Sequence, residues 1–204
     1  AHQRLKWKVL EDFATACVEA GIPRTRDFNR GDNEGVDYFE VNQRSGWRWN
    51  TSKAFLRDAE KRPNLTLWHS TQVLGLETEN SGSGPRCVGV RVERSGGDDV
   101  IARAKREVIL SAGAIGSPQL LQLSGIGPAD LLNEHGIDVV ADLPGVGENL
   151  QDHVQIRSVY KAKGATTLNT MANSLIGKAR IGLEYLLTRS GPMSMAPSHL
   201  CLFT

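Results

Sequence analysis

The sequence has no apolar run approaching the ~18 consecutive residues that would cross a bilayer, so no membrane-spanning helix is expected. Its start, AHQRLKWKVLEDF, is charged and amphipathic and does not match a secretory signal. A cytoplasmic setting is the expectation. The chain begins at Ala1 and not at Met, for which processing and excision from a longer protein are the two explanations, and excision is the expectation. Cysteine is scarce and odd in number. Cys17, Cys87 and Cys201 lie far apart and give neither a disulfide framework nor metal-ligand spacing. An excess of charge of either sign is also missing, since 24 Lys and Arg face 23 Asp and Glu. Without a block of like charge there is no electrostatic footprint for nucleic acid or an anionic membrane. Internal repeats and low-complexity tracts are absent too. What remains is an ordinary globular composition with enough chain to bury a core.

Apolar residues at Leu5, Val9, Phe13 and Ala16, continued by Cys17 and Ala20, predict an amphipathic helix over 4–20, stopped by Gly21 and Pro23. Residues 23–46 are mostly irregular, with a short extended run from Val36 to Val41. A second helix is expected from Thr51 to Arg62, capped by Thr51 or Ser52 and ended by Pro63. Three strand-like runs follow, 65–77, 87–93 and 100–104, joined by the turn-rich NSGSGP and SGGDD, and they predict an antiparallel meander. Val108–Leu110 reads as a strand buried on both faces. Two short helices are expected next, one opened by Ser117-Pro118 and closed by Gly125, the other running from Pro128 to His135. Strands are expected at 137–140 and 154–161, and a helix over 174–188. His199–Phe203 looks like a strand without its partners.

The strand, glycine turn and helix start at 108–120 is an arrangement in which backbone N–H groups and a helix dipole can face an anion or a dinucleotide. Glycine matters there because a side chain would hold the ligand away from the backbone. The dinucleotide fingerprint GxGxxG is absent, since Gly113 and Gly116 have the wrong spacing. His153 beside Asp152 suggests a dyad, but adjacent residues of an extended chain point to opposite faces. Its alternatives are a cofactor contact and a hydrogen-bonded boundary residue. Trp47 and Trp49 either stack on a ligand or pack, and Arg48 between them either holds an anion or makes a surface ion pair.

Residues 113–127, GAIGSPQLLQLSGIG, reproduce without mismatch a signature of the glucose–methanol–choline oxidoreductase family. GWRWNTSKAFL at 46–56 is similar to the family's GxR segment, and PGVGENLQDH at 144–153 to its PGVGxNLxDH segment. Within the family, YLLTRSGP at 185–192 is most similar to bacterial choline dehydrogenase-like and alcohol dehydrogenase-like members.

The resemblance implies an α/β (α+β) fold. Residues 1–153 would form part of a two-layer FAD-binding domain, Rossmann-like with an antiparallel meander, and residues 154–204 would begin a substrate-binding domain. It implies FAD as cofactor and a small-molecule alcohol, choline-like, aliphatic or aromatic, as substrate, with oxygen, a quinone or a dye all open as electron acceptor. Carried over by position, Val73 would contact adenine through its backbone. Ala112, Gly113 and Ala114 would approach the ribose and diphosphate, Ser117 would cap the adjacent helix, and Asn149, Asp152 and His153 would lie on the flavin side. No catalytic residue falls within this chain: the family's glycine-rich diphosphate loop would precede residue 1, and the catalytic His with its His or Asn partner would follow residue 204. The same fold also hosts FAD-containing hydroxynitrile lyases. A truncated, non-catalytic interaction module is the other alternative.

Overall fold

The computed structural model describes residues 5–204 and mixes helix with strand. In chain order the elements are α1 (Lys8–Glu19), β1 (Gly35–Tyr38), β2 (Gln43–Arg44), β3 (Trp47–Arg48), a π-type turn Ser52–Leu56 running into α2 (Arg57–Ala59), and the strands β4 (Thr71–Ser81), β5 (Gly84–Arg94) and β6 (Asp99–Arg103). After these come α3 (Gly113–Leu123), β7 (Ile126–Gly127), α4 (Ala129–Glu134), β8 (Ala141–Asp142), α5 (Leu168–Met171), α6 (Leu175–Thr188), a 3-10 turn Pro192–Ser194 and β9 (Leu200–Phe203). Compactness divides the chain into two units. One runs to Leu65 and resumes over Ser158–Thr204, and the other is Thr66–Arg157.

In the first unit β1 pairs antiparallel with β9, in register Val36 to Leu202 and Tyr38 to Leu200. Alternation along the strands puts these four residues on one face. Ala14 and Cys17 of α1 pack around Val36, joined by Ile22, Leu200 and Leu202. The helix ends where Gly21, at φ 94°, turns the chain, with Gly21 N–H bonded to Val18 O and Ile22 N–H to Cys17 O, both at 3.0 Å. These paired bonds form a Schellman cap, and they carry Ile22 into the core beside Cys17. On the opposite face of the sheet, Phe28 meets Phe39 and Phe203 at ring separations of 6.0 and 5.3 Å. Arg24 ties the edge by bonding Glu11 at 2.9 Å, and its guanidinium holds the Glu11 carboxyl below its usual range. Burial, reinforced by Glu11, pushes the Tyr38 phenol up to about 12.

In the second unit β4, β5 and β6 form the expected antiparallel meander, although its first strand lies at Thr71–Ser81 and not at 65–77. The β4–β5 ladder slips between Val73 and Gly75, a bulge that bends the strand. Beside it Leu76 N–H donates to Ser124 Oγ at 2.8 Å, and Ser124 Oγ donates to the Leu120 carbonyl at 2.6 Å, docking α3 on β4. Gly125 then turns the chain at φ 78° into β7, which pairs parallel with β8. Parallel strands need a crossover, and residues 128–140 with α4 supply it. α4 closes with a second Schellman cap at Gly136, where Ile137 N–H bonds Leu132 O at 2.9 Å.

Several expectations are corrected. Val108–Leu110 is not a strand, and Ile109 is 77% exposed, because no strand among the described residues lies alongside to take up its backbone hydrogen bonds. Residues 154–161 are likewise irregular, with Val154 95% exposed. The strand expected at 137–140 falls at Ala141–Asp142, after Val140 N–H has bonded the Gly125 carbonyl. α3 starts at Gly113, ahead of Ser117-Pro118, and the cap before the helix at 51 is Asn50, whose Oδ1 accepts the Lys53 N–H at 3.0 Å. α1 buries Ala14 and Cys17, not Phe13, which is 54% exposed. The terminal strand has a partner after all, β1, a pairing with no sign in the sequence.

A Cβ at Gly125 would collide with the Asp138 carbonyl and come within 2.9 Å of Val140 Cγ2, whereas one at Gly136 would meet nothing. Gly136→Ala is therefore expected to cost about 1–2 kcal/mol from its left-handed conformation alone, and Gly125→Ala distinctly more in urea unfolding of the two variants. The Tyr38 phenol, raised in the folded state from 10.0 to about 12, stabilises fully below pH 10 and loses that contribution as pH rises toward 12. Tyr38→Phe should flatten the alkaline fall in Tm relative to the parent.

Candidate functional site

Gly113 at φ 86° lets α3 begin abruptly. The residues at the turn, Ala112, Gly113 and Ala114, have little or no side chain and are exposed. The first-turn N–H groups of a helix lack intrahelical acceptors and carry the positive end of its dipole. One of them is satisfied from inside the helix, as Ala112 N–H donates to Ser117 Oγ at 3.0 Å. Ser117 thus does a cap's work from the second turn, although the helix has no side-chain cap at Ala112. Pro118, next in line, has no N–H for the Ala114 carbonyl, which leaves that oxygen without its intrahelical donor.

A second segment approaches from the far side of β8. Leu143 N–H bonds Gly127 O at 2.9 Å, and the turn after it is held against α3 by Gln122, whose Nε2 donates to the Val146 carbonyl at 3.1 Å. The approach is close: a Cβ on Gly147, which sits at φ 90°, would come within 2.7 Å of Gln122 Nε2. Asn149 also adopts the left-handed conformation, at φ 58°. The first turns of α3 and residues 145–151 together line an open cavity of about 680 Å³, within the range of small-molecule sites. Glu148 is its only charged lining residue.

Of the residues singled out from sequence, Ala114, Ser117 and Asn149 line this cavity. Ala112 and Gly113 adjoin it, the former through the bond to Ser117. Asp152 and His153 follow the lining residues and are exposed, and the Asp152 carboxylate accepts the backbone N–H of His153 at 2.8 Å. Val73 lies apart on β4, opposite Val92 and next to the bulge. Gln122 and Ser124 escaped the sequence reading. The only signal for Gln122 was an amide flanked by leucines in the QLLQL run. Small turn residues, free helix-start N–H groups and a glycine pressed close to Gln122 suit an extended, partly anionic ligand such as a dinucleotide, with the backbone and dipole in place of cationic side chains. Among the described residues no His, Cys, Asp and Glu group could hold a metal, and no helix is long and apolar enough to cross a membrane.

A family model described as GMC oxidoreductase matches residues 4–155. The chain belongs to that family. It is 45% identical over 179 residues to the oxygen-dependent choline dehydrogenase of Brucella anthropi, covering 88% of this chain and 31% of that protein. To the alcohol dehydrogenase (acceptor) of Pseudomonas putida it is 41% identical over 186 residues, 89% of this chain and 32% of that one. The solved FAD-dependent oxidoreductase from Chaetomium thermophilum matches 98% of the chain with a TM-score of 0.81 at 26% identity, over 35% of its own length. The chain therefore spans less than a third of the length of the two dehydrogenases.

Gln122→Ala removes the bond that holds the turn and should lower stability by about 1 kcal/mol. Faster amide hydrogen exchange at Val146–Asn149, with the β4–β6 meander unchanged, is the expected signature.

Proposed function

We propose that this GMC oxidoreductase chain is part of an FAD-dependent enzyme that oxidises the CH–OH group of an alcohol. The observation that carries the reading is the cavity at the start of α3, bordered by the 145–151 turn, in a chain of this family. FAD, when bound, supplies the hydride acceptor. The chain's own contribution is orientation. The N–H groups at Gly113 and Ala114 face the diphosphate, and the absence of bulk at Ala112, Gly113 and Ala114 allows close approach. Ser117 keeps the first turn in shape, the Val73 backbone meets the adenine, and Asn149, Asp152 and His153 border the flavin side.

In this reading residues 1–153 serve the FAD domain and 154–204 open the substrate domain, a division by ligand and not by compactness. The substrate is a small alcohol, choline-like, aliphatic or aromatic, and the near-balance of 24 basic and 23 acidic residues argues against a nucleic-acid partner. A cytoplasmic enzyme fits the same composition. The base that takes the hydroxyl proton is assigned to no residue of this chain.

The test is an absorbance spectrum of the protein expressed at the length of its relatives. A flavin band near about 450 nm that bleaches anaerobically on adding an alcohol is expected. A band that no alcohol bleaches would move the reading to a non-redox lyase, and no band at all would overturn it.

A further inference from the structure

The hairpin β2–β3 carries side chains that the site on α3 does not use. Ser45 and Gly46, at φ 50° and 76°, form its two-residue turn. Gln43 and Arg48 are cross-strand partners and so share a face. On that face Gln43 Nε2 donates to the Ser194 carbonyl, drawing the hairpin against residues 193–197. Tyr185 Oη donates to the Gly46 carbonyl at 3.1 Å and fixes α6 beside the turn. The space left between them is a cavity of about 570 Å³, walled by Trp47, Tyr185, Met193 and Met195, with Arg48 as its only charged lining residue.

The surrounding cations meet aromatic faces and, for Lys53, also the Arg48 carbonyl, to which its Nζ donates at 3.1 Å. The Arg189 guanidinium lies 4.7 Å from the Trp47 ring centre and Lys53 Nζ 5.9 Å from it. Arg44 lies 5.1 Å from the Trp49 ring. Among the described residues no ion pair engages Arg48, Arg44, Lys53 or Arg189. The surface ion pair that an arginine in a loop ordinarily makes is therefore absent at Arg48. A guanidinium offers a planar fork of donors that matches a carboxylate bidentately, and aromatic and thioether walls favour a flat or branched apolar body.

We propose that this cavity binds a small monocarboxylate with an aromatic or branched apolar body, its carboxylate on Arg48 and its body against Tyr185 and the two methionines. Inorganic phosphate suits it less, because the apolar walls offer nothing to replace its hydration. A quaternary ammonium is repelled by Arg48 and Arg189, so the site is distinct in chemistry from one that would take choline.

Calorimetric titration of the purified protein with benzoate, benzamide and inorganic phosphate tests this. Benzoate should bind saturably, at least about tenfold tighter than either of the others. Arg48→Gln, at an exposed position, should bring benzoate down to the benzamide level with an unchanged circular dichroism spectrum. If R48Q does not fold, Met193→Glu, at a position 57% exposed, places a competing carboxylate in the cavity and should abolish benzoate binding in the same way. Equal affinity for benzoate and benzamide, equal affinity for phosphate, or full benzoate affinity in both variants would each overturn the assignment.

Discussion

Ser124 accepts the Leu76 N–H at 2.8 Å while donating to the Leu120 carbonyl at 2.6 Å, so a single hydroxyl joins the meander to the last turn of α3. The bond is available because the ladder slips beside it, between Val73 and Gly75. Everything downstream is set from this point. The orientation of α3 determines where its first turn opens, and Gly125 directs the chain into β7. The β7–α4–β8 crossover then returns the chain so that Gln122 can hold the 143–148 turn. A small-molecule cavity arises where the free end of a docked helix meets a returning turn, with no cationic side chain in its lining.

The first unit solves a different problem, joining segments from distant parts of the chain. Its sheet is made by β1 and β9, and its second seam by the hairpin and the end of α6, where Gln43 reaches Ser194 and Tyr185 reaches Gly46. Gly46 is irreplaceable there for two reasons, its φ of 76° and the Arg189 backbone, which occupies the place of a Cβ. Arg189 itself takes the left-handed conformation that ends α6, and its guanidinium lies over both Trp47 and Tyr185. Exposed cation–π contacts of this kind are worth about 0.5–1 kcal/mol each, so the seam depends on the hydrogen bonds and the close approach as much as on the stacking.

Local signals were read well where the cause was local. The meander, the Gly21 and Gly125 stops, the helix ending at Thr188 and the short helix after Pro128 all follow from turn chemistry within a few residues. The readings that failed needed information from elsewhere. Val108–Leu110 and Val154–Lys161 have strand-like composition, but a strand exists only when a neighbour takes its backbone bonds. Phe13 and Ala16 follow a helical period as well as Ala14 and Cys17 do, and the sheet beneath decides which pair is buried. At the site, Gly113 and the helix after it were legible, whereas Gln122 and Ser124 looked like ordinary polar residues because their partners, Val146 and Leu76, are 24 and 48 residues away in the chain.

By itself the sequence determined family membership and the positions where glycine must turn the chain. These are properties of composition and of windows a few residues long, where propensity and motif act without a partner. Only the tertiary structure decided which polar side chains fasten one segment to another, that residues 158–204 pack with the N-terminal residues, and that Arg48 borders a cavity without an acid beside it. Hydrogen bonds, burial and charge pairing depend on separations in space, and the chain order does not contain those separations until it has folded.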